Sequence, residues 1–407
     1  LDDWIFKTGY AYDKLISFFK VKNLKGYGVE EEVDGIVSAG AILYYLELTE
    51  HNDLDNITSL SRIEDDKYMW LDKFTLKNLE LVSPSQEDSI TLKSVIDQTV
   101  TPMGSRLMSK WILNPLLNKK DICDRQEYVK AFLLNETVRE SVFNSISEIS
   151  DIERISSKIA LKRASPRELL FLKKSLISAE DLKLQLKNSK EKVFNSWSSE
   201  VPDSKKIISK IGSAIHEEAS MLSSGKVIKD GYNAELDKLR KISNTGKDIL
   251  LKIQNEEIER TGITSLKVAY NKVFGYYLEV TNAHKDKVPE NWIRKQTLVN
   301  AERYITEELK KYEESILTAD EKINEIEKVL FFEVLNDLSE NILAIQKTSK
   351  SIAFLDSVLS FANLAYSSNL SEPEITEEKV IDIKKGRHLI IESSLPPDEL
   401  YIPNDVY

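Results

Sequence analysis

The chain has 407 residues, of which 41% are hydrophobic and 30% are charged, a composition typical of a soluble globular protein with room for two to four domains. Its net charge of −11 argues against nucleic-acid binding over the whole surface, so any such contact must come from a local basic patch. Cys123 is the single cysteine, which excludes an internal disulfide and a cysteine metal cluster and fits a reducing compartment.

The first part of the chain predicts a small mixed segment. Helices are expected at residues 10–19 and 35–48, and the small side chains of residues 39–41 in the second helix allow close packing. Residues 67–72 predict a short strand that leads into a loop around residues 83–85. A segment of about 50 residues is marginal as an independent domain, so we expect it to pack against the next part of the chain.

Thr101 and Pro102 predict the start of a helix. Threonine is a favoured N-cap, and proline is favoured at the first helical position because its missing N–H costs nothing there. The helix that begins here is expected to bury Met103, Leu107 and Trp111.

Residues 118–222 predict a run of helices without any group of chemically reactive residues. Helix starts are expected at Asn118 and at Ser165, the latter before a proline. Residues 188–204 are polar and contain Trp197 and a proline, which predicts a loop. The stretch therefore indicates a helical core rather than a catalytic domain.

Two long helices are predicted on either side of residues 264–281. The first starts near Asp230 with an apolar stripe, and the second runs from residue 306 to 361 without proline or glycine, which predicts a continuous rod of roughly 80 Å. A heptad seam runs along the second helix at Leu309, Tyr312, Ile316, Ala319, Ile323, Ile326 and Leu330. Such a seam needs a partner, so we predict an antiparallel pair of helices with the intervening segment at its far end.

The intervening segment predicts a β-hairpin. Residues 264–270 and 276–281 are rich in β-branched and aromatic side chains, and the short turn between them ends in Gly275. Of the adjacent Tyr276 and Tyr277, we expect one to pack inside and the other to be exposed.

The same segment is locally basic. Seven cations and four anions between Lys267 and Arg303 give a net charge of +3. Lysine and arginine beside asparagine and glutamine hold a phosphate backbone without reading bases. Composition alone nevertheless favours the simpler interpretation, an ordinary solvated hairpin with a modest charge excess.

The last 42 residues change character, and residues 379–383 and 389–392 predict strands. No stretch of the sequence fits the phosphate-loop pattern G-x-x-x-x-G-K-[ST], so we expect no ATP hydrolysis. The four histidines are scattered without metal-ligand spacing. No apolar run approaches the ~18 residues of a membrane span, and because the chain starts at Leu1 we expect it to be a piece of a longer protein.

Several motifs resemble the MutS family of DNA mismatch-repair proteins. The segments LKVAYNKVFGYYLEVT and RKQTLVNAERYITEELKKYE resemble the family's clamp, TVTPMGSR at residues 99–106 resembles a core motif, and GYNAELD at residues 231–237 resembles the start of a lever helix. Gly386-Arg387-His388 is similar to the opening of the family's ATPase domain.

The resemblance implies a mainly α fold, a bundle of long lever helices with a small β-rich clamp inserted between two long antiparallel helices. It implies the end of a connector domain at residues 1–52 and a lever or core domain at 53–245 and 307–365. The clamp would occupy residues 246–306, and the start of an ATPase domain residues 366–407.

The resemblance also implies which residues touch DNA. Matching the family's clamp position by position points to backbone contacts by Asn271, Lys272, Asn300 and Arg303, with Arg294 and Lys295 as further candidates. Asn271 and Lys272 lie in the predicted hairpin loop. Asn300 and Arg303 are three residues apart at the predicted start of the second long helix and would face one side.

The implied partners are double-stranded DNA, a second copy in a full-length homodimer, and repair proteins of the MutL type, in the bacterial cytoplasm and without a membrane. ATP and Mg²⁺ would bind the full-length family members, and we expect no cofactor and no enzymatic activity in this chain. The alternative function is a helical protein-interaction scaffold that does not bind DNA. For Arg106, a structural ion pair is favoured over a contact that signals between DNA and ATPase.

Overall fold

The computed structural model describes residues 1–407 except 28, 50–53, 55–56, 58–59, 61–66, 85, 87–88, 221–225, 272–274 and 397, and excludes the side chains of 26, 246–248 and 312–317. Contacts divide the chain into two compact units. The first unit comprises Leu1–Ala164, Glu168–Ser209 and Leu335–Tyr407, and the second comprises Ser165–Arg167 and Lys210–Val334.

The described residues are mainly helical, with two small antiparallel sheets, which confirms the predicted fold class. The helices are α1 (Thr8–Phe19), α2 (Val33–Leu48), α3 (Lys73–Asn78), α4 (Leu92–Ile96), α5 (Pro102–Leu113), α6 (Lys119–Leu134), α7 (Glu136–Ser147), α8 (Ile152–Ala160), α9 (Pro166–Lys187), α10 (Lys192–Glu200), α11 (Lys205–Ala214), α12 (Ala234–Thr261), α13 (Glu307–Ser339), α14 (Ile342–Ser367) and α15 (Leu389–Ser394). The strands are β1 (Lys267–Asn271), β2 (Gly275–Thr281), β3 (Ile293–Thr297), β4 (Ala301–Ile305), β5 (Ile383–Gly386) and β6 (Asn404–Val406). No helix in the described part of the chain combines the length and the apolar content that a membrane crossing requires.

Helix α14 is the centre of the first unit. It contacts α5, α6, α7 and α8, and most of its residues are buried. A helix that is buried nearly all round needs apolar side chains on every face, and α14 supplies them with residues such as Ile352, Leu355 and Val358.

One carboxylate is buried in this core. Asp356 of α14 is 1% exposed and accepts hydrogen bonds from the backbone N–H groups of Val100 (3.1 Å) and Thr101 (2.9 Å) and from Thr101 Oγ1 (2.6 Å). Thr101 is the N-cap of α5, as predicted, since its Oγ1 accepts from Gly104 N–H. The carboxylate therefore lies at the positive end of a helix, where N–H groups stabilise an anion.

A second carboxylate holds the segment before α5. Asp97 accepts from Thr99 Oγ1 (2.6 Å) and Ser105 Oγ (2.7 Å). Burial opposes the charge on both carboxylates, but the two outcomes differ. Burial raises the pKa of Asp356, whereas at Asp97 the hydrogen bonds outweigh burial and the pKa is lowered.

The N-terminal helices confirm the prediction of close packing by small residues. A Cβ atom added to Gly40 of α2 would lie 2.6 Å from Ala11 Cβ of α1, so the two helices approach each other at a distance that only glycine permits. Leu15, Leu24 and Ile36 complete the buried cluster at this contact.

Four predicted elements are wrong in the first unit. The predicted strand at residues 379–383 is displaced, because β5 spans Ile383–Gly386. The predicted loop at residues 188–204 contains α10, because Phe194 and Trp197 are spaced to bury one helix face, and Trp197 Nε1 donates to Ser351 O (2.9 Å). The predicted strand at residues 389–392 is α15, which His388 caps through Nδ1. The predicted strand at residues 67–72 is reduced to a single bridge between Tyr68 and Leu116.

The predicted continuous rod is also wrong, because α13 ends at Ser339 and α14 begins at Ile342. Asn341 has φ −103° and ψ 13°, and its side-chain amide donates to Asp337 O. Asparagine competes with the helical backbone for hydrogen bonds, so the helix is interrupted without any proline or glycine.

In the second unit, α12 and α13 form the predicted antiparallel pair. Arg240 of α12 bonds to Glu327 of α13, and Ser243, further along α12, bonds to Asp320, which comes earlier in α13. The heptad positions Leu309, Ala319, Ile323 and Leu330 are buried and Ile326 is half-buried, while the side chains of Tyr312 and Ile316 lie outside the described residues.

We predict that Gly104→Ala destabilises the first unit. The new Cβ would lie 2.2 Å from Asp356 Oδ2, and the buried carboxylate has no room to move without losing its donors. Overpacking of this kind costs about 1–3 kcal/mol, measurable as a lower unfolding midpoint in urea. Gly9→Ala in α1 is the control, because no atom lies within 4 Å of its added Cβ; a Gly104→Ala protein as stable as the control would contradict the prediction.

We also predict a distinctive pH dependence for Asp356→Asn. An amide cannot accept all three hydrogen bonds, so the variant is less stable by about 1–3 kcal/mol. Because the pKa of Asp356 is raised by folding, its contribution to the free energy of unfolding is greatest below its usual pKa and is lost as pH rises through the folded pKa. The difference in unfolding free energy between the natural protein and the variant should therefore narrow as pH rises from the usual pKa of aspartate through the raised pKa of Asp356.

The measurement is urea unfolding of both proteins across this range. Asp97→Asn is the control of opposite sign, because the lowered pKa of Asp97 contributes stability that is lost only as pH falls below its usual value. If the difference in unfolding free energy between the natural protein and Asp356→Asn widens with rising pH, the raised pKa of Asp356 is refuted.

Candidate nucleic-acid interface

The predicted hairpin is confirmed as β1 and β2. Asn271 pairs with Gly275 and Lys267 with Glu279, and Gly275 has φ +77°, a conformation that glycine adopts without strain. Tyr277 is buried, while Tyr276 is half-buried with its ring 5.0 Å from that of Tyr270.

The hairpin is half of a larger sheet. The strand order is β1-β2-β4-β3, and all neighbours are antiparallel. The sequence analysis missed β3 and β4, because IRKQT and AERYI lack regular alternation and the second runs directly into a long helix. Pairing with β2 and burial of Ala301, Tyr304 and Ile305 decide in favour of a strand.

The sheet has one apolar face. Leu278, Val280 and Tyr304 form a buried cluster with Leu250 of α12 and Leu309 of α13. The sheet is thereby fixed to the two long helices of its own unit.

The opposite face carries a polar row with one side chain from each strand. Lys267, Glu279, Arg303 and Gln296 are neighbours in register across β1, β2, β4 and β3. Arg303 Nε donates to Glu279 Oε2 (3.0 Å) and Nη1 to Gln296 Oε1 (2.9 Å). Its guanidinium lies 4.4 Å from the centre of the Tyr277 ring, and its side chain is only 18% exposed.

The helical placement predicted for Asn300 and Arg303 is wrong. Arg303 lies in β4, Asn300 lies in the turn between β3 and β4, and α13 begins only at Glu307. The i, i+3 argument therefore does not apply, since side chains in a strand alternate between faces.

The structure does not bring Asn271 and Asn300 together. Asn271 adjoins the Gly275 end of β2, whereas Asn300 precedes Ala301, which pairs with Thr281 at the other end. Six residue steps of ~3.3 Å along β2 separate these ends by about 20 Å. Lys272 lies outside the described residues.

The sheet lies between the C-terminal end of α12 and the start of α13, in agreement with the predicted place of the intervening segment. Val268 N–H donates to Gln254 Oε1 (2.9 Å), so β1 runs back beside α12. At the C-terminal end of α12, Lys287 Nζ donates to Gly262 O (3.4 Å) and Ser265 Oγ lies 2.9 Å from Thr281 Oγ1. The Thr281 end of the sheet is therefore the distal one.

We call residues 281–287 and 295–300, which extend from the Thr281 end of the sheet along β3, the distal edge. Its lysines Lys285, Lys287 and Lys295 are exposed, and Asp286 is the one carboxylate in these two ranges. The turn before β4 is held by Asn282, whose backbone N–H donates to Asn300 O (3.1 Å) and whose amide donates to Val299 O (2.9 Å). The distal edge thus carries a net positive charge beside a turn that hydrogen bonds hold in place.

The remaining arginine candidate lies on β3. The Arg294 side chain is 62% exposed, and its Nη1 is 3.5 Å from Glu302 Oε1. Glu302 also accepts from Tyr304 OH, and burial together with this carboxylate raises the pKa of Tyr304 to about 12. Arg294 is therefore loosely held and accessible.

Residues elsewhere that the sequence singled out have structural contacts. Arg106 bonds to both carboxylate oxygens of Asp151 (3.0 and 2.7 Å) and to Glu153, in line with the structural ion pair. Phe331 is buried.

A cavity of about 820 Å³ in the second unit is no better candidate for binding an anion. Its charged lining balances, since Lys226, Arg240 and Lys241 face Asp230, Asp237 and Asp320. Arg240 is already bonded to Asp230 and Glu327.

Comparisons with known proteins agree with this architecture. The family model described as MutS domain III matches residues 74–362. Proteins named DNA mismatch repair protein MutS are similar over the whole chain: that of Cytophaga hutchinsonii is 47% identical over 408 residues, that of Bacteroides fragilis 49% over 407, and that of Flavobacterium johnsoniae 45% over 408.

The match covers 100% of this chain but 48%, 47% and 47% of those relatives, respectively. The chain therefore spans about half the length of the curated relatives it matches. A family model that matches most of the chain, together with relatives this similar along all of it, shows that the chain belongs to the MutS family.

Proposed function

We propose that the four-stranded sheet is a clamp that holds duplex DNA by its backbone, without reading bases, as part of a mismatch-repair protein. The observation that carries the proposal is the distal edge, which bears three exposed lysines and a single carboxylate in a chain of net charge −11. Lysine and backbone amides supply sequence-independent phosphate contacts. The names of the relatives support the role in mismatch repair.

The structure changes the weight of the individual candidates. Lys295 and Asn300 belong to the distal edge, and Lys285 and Lys287 join them there as candidates that sequence reasoning passed over. Asn271 belongs to the opposite end of the sheet, so contacts at both ends would span about six base pairs at 3.4 Å per step if the duplex ran along β2. Arg294 is a further accessible cation.

The proposed role of α12 and α13 is that of lever helices, which transmit the grip on DNA to the rest of a longer MutS protein. Their support is the antiparallel pairing through Arg240 and Glu327 and the shared apolar cluster beneath the sheet. We place ATP and Mg²⁺ binding, the homodimer and MutL-type partners with that longer protein. The present sequence contains no phosphate-loop pattern, so we assign it a mechanical rather than a catalytic task.

One observation favours the alternative function, a helical protein-interaction scaffold without DNA binding. A mainly apolar cavity of about 570 Å³ in the first unit is lined by residues of α5, α6 and α14, among them Trp111, Val129 and Phe361. Apolar clefts of this size are typical of binding sites for apolar groups. Salt-dependent binding of duplex DNA separates the two functions, because a scaffold would show none.

We predict that the triple change Lys285→Gln, Lys287→Gln and Lys295→Gln weakens duplex binding by more than tenfold at low salt. If each lysine touches one phosphate, the slope of log affinity against log salt becomes shallower by about 2.7. The measurement is fluorescence anisotropy of a labelled duplex between about 50 and about 200 mM salt.

The matched control changes three exposed lysines elsewhere, Lys119, Lys120 and Lys206, to glutamine, which alters the net charge equally. Equal loss of affinity in both triple variants would mean that total charge, not the distal edge, drives binding. Matched and mismatched duplexes should bind alike, because backbone contacts carry no sequence information; a clear preference for a mismatch would contradict the proposed mode of contact.

A further inference from the structure

We infer that Arg303 is a positioning residue, which braces the distal edge and presents Lys295 to DNA, rather than a phosphate ligand. The inference rests on the proposed clamp function but concerns a residue for which family resemblance predicts direct contact. Arg303 is the most enclosed of the cations between Lys267 and Arg303 whose side chains are described, and its surroundings decide its role.

The charge of Arg303 is already compensated within the protein. Its Nε donates to the carboxylate of Glu279, its Nη1 donates to Gln296, and the ring of Tyr277 covers its guanidinium at 4.4 Å. A phosphate would have to compete with a carboxylate that is held in register on the neighbouring strand. An ion pair of this kind presents almost no net charge to DNA.

The same contacts span three strands. Arg303 belongs to β4, Glu279 to β2 and Gln296 to β3, so one guanidinium ties the sheet together across its polar face. Charge-assisted hydrogen bonds with fixed geometry are the strongest side-chain ties available at such a site.

The tie to β3 falls beside an irregularity in the ladder. Arg294 pairs with Tyr304 and Gln296 pairs with Arg303, the adjacent residue of β4, so Lys295 is the extra residue of a β-bulge. A bulge redirects the side chain of its extra residue. The side-chain hydrogen bond between Arg303 and Gln296 lies directly after the bulge. It ties β3 to β4 next to Lys295 and thereby holds Lys295 in place.

The two roles predict opposite effects of removing Glu279. If Arg303 contacts phosphate, Glu279→Met frees a cation, removes an anion and tightens DNA binding. If Arg303 is a brace, the same change loosens the turn between β3 and β4 and weakens binding about threefold to tenfold, the loss expected for one hydrogen bond of typical net strength.

The experiment measures duplex affinity against salt for Glu279→Met, Arg303→Met, Arg303→Lys and Lys295→Gln. We expect Lys295→Gln to make the salt slope shallower by about 0.9. Arg303→Lys keeps the charge but cannot reach both partners in the same geometry, so it should lose affinity nearly as far as Arg303→Met, with the slope close to that of the natural protein. Tighter DNA binding by Glu279→Met, or a DNA affinity of Arg303→Lys equal to that of the natural protein, would overturn the inference.

A second measurement needs no DNA. The N–H groups of Leu298 and Asn282, which donate to Ala301 O (2.8 Å) and Asn300 O (3.1 Å), should exchange hydrogen faster in Glu279→Met and Arg303→Met but not in Lys295→Gln. Unchanged protection of α14 amides in the same sample shows that the first unit stays folded.

Unchanged hydrogen exchange at the N–H groups of Leu298 and Asn282 in the Arg303 and Glu279 variants would refute the positioning role of Arg303. If instead exchange rises as expected while the natural protein binds no duplex, the proposed clamp function fails and the positioning role of Arg303 stands.

Discussion

A carboxylate buried without a cationic partner is costly unless N–H and O–H groups replace its lost water, and the first unit is built around one such group. Asp356 receives two backbone N–H groups and a hydroxyl from the segment that begins α5. Every donor belongs to Val100 or Thr101, so the central helix α14 and the start of α5 cannot separate without exposing an unsatisfied charge. Gly104 is required at the same point, because the carboxylate occupies the space of a Cβ.

In the sheet of the second unit, an enclosed cation likewise has its charge compensated by hydrogen-bond partners within the protein. Arg303 is enclosed by Glu279, Gln296 and Tyr277, and its charge is used to hold strands together. The lysines of the distal edge are exposed instead. Burial therefore separates the cation that bonds within the sheet from cations that remain accessible, a distinction that net charge does not make.

A mechanical role fits the way these groups are distributed. The apolar face of the sheet packs on α12 and α13, so a force on the distal edge reaches the helices through a buried cluster rather than through a flexible linker. The helices are paired in turn by Arg240 with Glu327 and by Ser243 with Asp320. This connection is what the proposed clamp and lever roles require.

The sequence by itself determined the helical class, the cap at Thr101, the small residues at the α1–α2 contact, the antiparallel helix pair and the first hairpin, because each depends on side chains close together in the chain. It did not determine β3 and β4, which exist through pairing with β2, or α10, which exists through burial of Trp197 against α14. The break at Asn341 was equally hidden, since the competing hydrogen bond is local but the apolar pattern continues through it. At the candidate site, the sequence identified the basic segment. Only the tertiary structure decided which cation forms its bonds within the sheet and which end of the sheet is distal, because strand register and chain reversal place residues far apart in sequence side by side.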